Sequence, residues 1–96
     1  MTKISLTSKP SRSPDITFQS MPPETILLNL ESGYYYSANA LGSAIWQRCD
    51  GETTTEQLIR TLHPQYEVSI EQLRRDVVEY IERLADEGLL LVDSDA

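Results

Sequence analysis

An α+β domain with its strands first and its helices after is what this 96-residue chain predicts, and three features of the sequence carry the prediction. Apolar residues recur with period two from Asp15 to Ala38. The period then changes to the helical one from Asn39 to Glu87. Helix-capping residues and Gly or Pro stops punctuate the second half at short intervals.

The strands come in the order the punctuation sets. Ile16 and Phe18 alternate with Thr17 and Gln19, Met21-Pro22-Pro23 breaks the run, and a second strand covers Thr25 to Leu30. Gly33 supplies the positive φ a hairpin loop needs, and Tyr34-Tyr35-Tyr36 favours β structure in a third strand. Folding that hairpin about Glu31 to Gly33 predicts Leu30 opposite Tyr34, Leu28 opposite Tyr36 and Ile26 opposite Ala38, all on one face.

Asn39 is a good N-cap, and Leu41, Ala44, Ile45 and Cys49 follow at helical spacing up to Asp50-Gly51. A capping box within Thr53-Thr54-Thr55-Glu56 opens a short second helix that His63-Pro64 closes. Ser69-Ile70-Glu71-Gln72 opens a third, running to Asp86-Glu87-Gly88 before an extended Leu89 to Val92. The sum is an N-terminal three-stranded antiparallel sheet followed by three helices, a winged helix-turn-helix-like arrangement. Residues 1–14 read as a flexible lead-in, 15–92 as the domain and 93–96 as a tail.

Composition narrows the function. Eight Lys and Arg stand against 15 Asp and Glu, giving a net charge of -7 and a pI near 4.5, which disfavours a nucleic-acid partner. One Cys and one His allow neither an intramolecular disulfide nor an ordinary zinc site. No apolar run reaches the ~18 to 20 residues of a membrane span, and the N-terminus lacks a signal-peptide core. A cytoplasmic protein is expected. Cys49 lies on an apolar stripe and His63 before a helix-ending Pro, and no phosphate loop, dinucleotide fingerprint or metal spacing occurs. No catalytic residue, metal or cofactor is expected, and the chain is not read as an enzyme.

Two features point instead to a binding surface. The apolar arc of the third helix spans roughly 160°, wider than one core contact needs, and its extension at Val78 and Ala85 is bordered by Arg74, Arg75 and Glu82. The third strand lies at the edge of the expected sheet, and from Tyr34 to Ala38 no Pro, Lys or Glu blunts it. A free edge beside an apolar helix strip suits an extended peptide. The two arginines would favour an acidic residue in that peptide. A dimerisation module pairing through the same edge and a winged-helix DNA-binding protein are the other classes. The second is disfavoured because the third helix sets three Arg against six acids.

The stretch Leu27-Leu28-Asn29-Leu30-Glu31-Ser32-Gly33-Tyr34-Tyr35-Tyr36-Ser37-Ala38-Asn39-Ala40-Leu41-Gly42-Ser43-Ala44-Ile45-Trp46, followed by Cys49-Asp50-Gly51, Asp76-Val77 and Gly88-Leu89-Leu90, resembles the PqqD-like family. It covers about residues 14–92 and departs at Ala38, where the family usually has Leu. The resemblance implies a recognition element for the leader peptides of ribosomally made, post-translationally modified peptides, without catalysis of its own. It also implies that the leader adds as a strand beside the third strand, at Tyr34, Tyr35, Tyr36 and Ser37, and packs on the third helix at Arg74, Arg75, Val78, Ile81, Glu82 and Ala85. The implied partners are a precursor leader and a maturation enzyme. The Gly-Tyr-Tyr corner and Ile45-Trp46 look most like the standalone protein of lasso-peptide maturation, which serves a leader peptidase. The Cys49-Asp50-Gly51 turn also resembles the form that serves a radical enzyme in pyrroloquinoline quinone synthesis.

Overall fold

The computed structural model describes residues 3–92, so the tail expected at 93–96 lies outside the described residues. Its elements are β1 (Pro10–Arg12), β2 (Ile16–Met21), β3 (Glu24–Asn29), β4 (Tyr35–Ala38), α1 (Ala40–Gln47), α2 (Thr55–Leu62), a 3-10 turn at His63–Gln65, α3 (Ile70–Asp86) and β5 (Leu90–Val92). The architecture is the α+β, winged helix-turn-helix-like one expected. A meander β2-β3-β4 precedes three helices, and a separate ribbon pairs β1 with β5.

The helices start where the capping residues demand. Asn39, Thr54 and Ser69 are the N-caps, each side chain accepting from the backbone N–H three residues on. The reciprocal box at α2 is Thr54 with Gln57, one residue later than expected. At α3 only half of the box forms, because the Gln72 amide donates forward to Asp76 instead.

Trp46 is fully buried in one core with Leu27, Ile45, Leu58, Ile59, Leu62, Leu73, Val77, Ile81 and Leu89. Phe18 of β2 meets the indole edge-on at 5.7 Å and 77°, a favourable aromatic geometry. The Arg12 guanidinium lies 5.7 Å from the centre of the same Phe18 ring.

Two expectations are corrected. The hairpin register differs by one residue: Thr25 faces Ala38, Ile26 faces Ser37, Leu27 faces Tyr36 and Leu28 faces Tyr35. The cause is a four-residue loop in place of the expected three. The Asn29 side chain accepts from the N–H groups of Glu31 and Ser32, Asn29 O accepts from Gly33 N, and Asn29 N donates to Tyr34 O. Gly33 at φ 80° completes the reversal. A one-residue shift exchanges the faces. Leu27, Thr25 and Ala38 are therefore buried, whereas Ile26, Leu28, Tyr35 and Ser37 lie on the outer face.

The second concerns residues 3–14, the described part of the segment expected as a flexible lead-in. Pro10–Arg12 pairs with Leu90–Val92, Ser8 O accepts from both N and Oγ1 of Thr55, and Leu6 O accepts from Glu56 N. The segment satisfies the first amides of α2, which have no partner within the helix. Ile4 N donates to Glu82 Oε2 at 3.0 Å.

Candidate functional site

Sheet order leaves one long edge of β4 without a strand partner among the described residues. Antiparallel pairing dictates which groups that edge offers. Asn29 N bonds to Tyr34 O, so by alternation Tyr36 and Ala38 direct their backbone groups at β3, while those of Tyr35 and Ser37 point away from it. Two residues of β4 thus present N–H and C=O groups to an incoming strand.

The wall beside this edge is α3. The Tyr36 hydroxyl donates to Glu87 Oε2 at 2.8 Å, tying β4 to the C-terminal end of α3. That bond, ahead of partial burial, raises the Tyr36 pKa above the ordinary phenol value. At the other end Tyr80 packs across α1 at Gly42, where an added Cβ would meet the ring, its distance to Cζ being 2.6 Å, and would lie 3.3 Å from Ala38 Cβ. Only glycine leaves room for the phenol there. Burial raises the Tyr80 pKa, with nearby Arg83 opposing it. At the Tyr80 end, Asn39, Leu41, Asp76, Glu79, Tyr80 and Arg83 line a cavity of about 210 Å³.

The expected site residues separate into two groups. Tyr35, Tyr36 and Ser37 lie on β4 and Tyr34 just before it. The side chains of Tyr34 and Tyr35 are 71% and 73% exposed, and Ser37 donates to Glu24 Oε2 at 3.3 Å. The helix residues are elsewhere. Arg74 makes a two-point contact with Glu56 of α2, at 2.8 and 3.1 Å. This contact lowers the Glu56 pKa and raises that of Arg74. Arg74, Arg75 and Val78 line a different cavity, about 370 Å³, with Leu6 and Glu71. Glu82 holds the Ile4 amide, Ile81 is fully buried in the core, and Ala85 is half-buried a turn further on.

Asp76, Tyr80, Arg83 and Glu87 are instead roughly 140–200° around the helix from Val78. On the Val78 side the chain's own N-terminal segment approaches the apolar arc, Leu6 lining the cavity with Val78 and Ile4 bonding to Glu82. The sequence carried one sign of the Tyr80 packing: a small residue, Gly42, inside the first helix, which marks close approach of a neighbour.

Other reactive groups are occupied structurally. Burial pushes the Cys49 thiol up to about 12, and its Sγ–H donates to Ile45 O. His63 Nε2 donates to Val68 O at 2.8 Å, closing the turn before α3. Among the described residues no group of His, Cys, Asp and Glu is arranged to hold a metal ion, and no helix is long and apolar enough to cross a membrane.

Comparison with known proteins places this geometry in a family. A solved structure of TbiB1 in complex with the TbiA(beta) leader peptide is similar at 26% identity and a TM-score of 0.77, over 83% of this chain and 93% of that one. A lasso peptide synthetase B1 complexed with the leader peptide is similar in fold at 24% identity and a TM-score of 0.78, over 86% and 98%. Among curated proteins none matches the sequence significantly. The profile described as coenzyme PQQ synthesis protein D (PqqD) matches residues 24–90, from the first residue of β3 to the first of β5, and the chain belongs to that family.

Proposed function

We infer that the chain is a non-catalytic leader-peptide-binding protein of the cytoplasm. It takes the leader of a ribosomal precursor as an added strand on β4, beside α3, and delivers it to a maturation enzyme, in lasso-peptide biosynthesis. The observation that carries this reading is the free β4 edge, tied to α3 through Tyr36 and Glu87, in a fold shared with chains solved as leader-peptide complexes. The backbone groups of Tyr35 and Ser37 bind the leader main chain, which supplies affinity without sequence discrimination. Leader residues opposite Tyr36 and Ala38 point at α3, and those opposite Tyr35 and Ser37 point to the outer face.

The PqqD family match supports a second reading, presentation of a precursor to a radical enzyme in pyrroloquinoline quinone synthesis. Charge argues against DNA, since Arg74 and Arg60 both lie against Glu56 and α3 is acidic overall. Calorimetry with the leader of the precursor encoded beside this chain tests the function. Binding between roughly nanomolar and micromolar is expected, given the ordering cost of a free peptide. Absence of peptide binding, with tight salt-sensitive binding of duplex DNA, would overturn it. Pull-down of a leader peptidase or of a radical enzyme separates the two pathways.

A further inference from the structure

We propose that the cavity at the Asn39 end of the groove selects a Lys or Arg side chain of the bound peptide. The proposal rests on the leader-binding reading and reverses the acidic preference expected from Arg74 and Arg75. Arg74 lies on the opposite face of α3 and is already held by Glu56, while Arg75, exposed one turn before Glu79, opens to the cavity on Arg74's side. The cavity beside Asn39, the residue that follows β4, carries Asp76 and Glu79, with Arg83 as the cation among its lining residues.

Arg83 does not balance both acids. Its Nη2 is 3.9 Å from Glu79 Oε1, and both side chains are 68% exposed, a loose pair of little energetic weight. The hydrogen bond that Asp76 accepts is from the neutral amide of Gln72, at 2.9 Å, and among the described residues it has no ion pair. Glu87 adds a further acid along the wall, beside Tyr36. Arg12 and Arg48 are turned to backbone carbonyls of α1. Asp76, Glu79 and Glu87 outnumber Arg83 and the neighbouring Arg75, so the field in the groove is negative over the ~8 Å that screening leaves at physiological salt.

Shape fits the same occupant. At about 210 Å³ the cavity is below the roughly 300–1,000 Å³ of small-molecule sites, and suits one long side chain. Leu41 and Tyr80 offer apolar walls to the methylene stem of Lys or Arg, the Tyr80 ring can face the cation, and Asp76 and Glu79 receive the charge at the rim. A residue placed opposite Ala38 by strand addition points to this side of the sheet.

A display library of random 15-residue peptides tests the proposal on the full chain. Selections run against the parent protein, against Asp76→Asn/Glu79→Gln, and against Ser37→Pro. The last variant removes an outward N–H but no bond to β3, and circular dichroism checks that each variant is folded. Peptides lost with Ser37→Pro are the edge binders. Among them a basic residue at one fixed position is expected, its enrichment disappearing with Asp76→Asn/Glu79→Gln. Replacing that residue by Glu in a winning peptide should weaken binding about tenfold at low salt, and less at high salt. Edge binders without a basic position, or with one the double variant leaves unchanged, would overturn the cation pocket while leaving leader binding standing. If no selected peptide is sensitive to Ser37→Pro, strand addition itself fails, and the pocket with it.

Discussion

The two faces of α3 have similar lengths of helix to work with and opposite fates. On one, Glu56 of α2 holds Arg74, Glu82 holds the Ile4 amide, and Val78 lines a cavity with Leu6. On the other, Asp76, Glu79, Tyr80 and Arg83 line a smaller cavity with Asn39 and Leu41. The more apolar side is the one the N-terminal segment lies against, and the other is polar with a single aromatic. Substitutions on the covered face should change stability, and those on the open face binding.

The sharpest separation is expected from Ile81→Ala. Truncating a fully buried side chain should cost about 2–5 kcal/mol, read by urea denaturation, while leader affinity in the absence of denaturant stays at the parental value. Gly42→Ala comes next and couples the two faces, because the new methyl must displace the Tyr80 ring. A loss of about 1–3 kcal/mol together with weakened peptide binding is expected; a neutral melting temperature would show that Tyr80 is free to move.

Val78→Asp should cost about 1 kcal/mol, by placing a carboxylate beside Leu6, and should leave peptide affinity unchanged. Lost binding in a folded Val78→Asp protein would move the groove to the Arg75 side of the helix.

The smallest effect is electrostatic and concerns the Arg74–Glu56 contact. Its depressed carboxyl pKa means that the stabilisation is present above the ordinary Glu range and is lost as pH falls through the lower folded value. Glu56→Gln should thus lower the melting temperature at neutral pH, with the difference from the parent closing as the pH falls below the ordinary Glu range. A difference independent of pH would show that shape, not charge, holds the contact.

Most of the fold was legible because local chemistry decides it. Asn39, Thr54 and Ser69 cap helices by short-range bonds that need no tertiary knowledge, and the two prolines break the first hairpin wherever it sits. The β4 edge followed from strand order. The Tyr34–Tyr36 register did not, because the Asn29 side chain lengthens the loop by one residue, a turn choice that Gly33 alone leaves undetermined. Which face of α3 the N-terminal segment meets was not legible for a longer-range reason. Nothing within α3 says where Ile4 and Leu6 will lie, since those residues come from the far end of the chain and dock through backbone groups that carry no side-chain signature.

The β1–β5 ribbon has an architectural consequence. With Pro10 opposite Val92 in antiparallel register, and Ile4, Leu6 and Ser8 bonded onward to α3 and α2, the first and last described strands fasten each other outside the sheet that carries the β4 edge. Fraying of either strand must break the other's pairing, so the ribbon ties down both ends and leaves the β4 edge free.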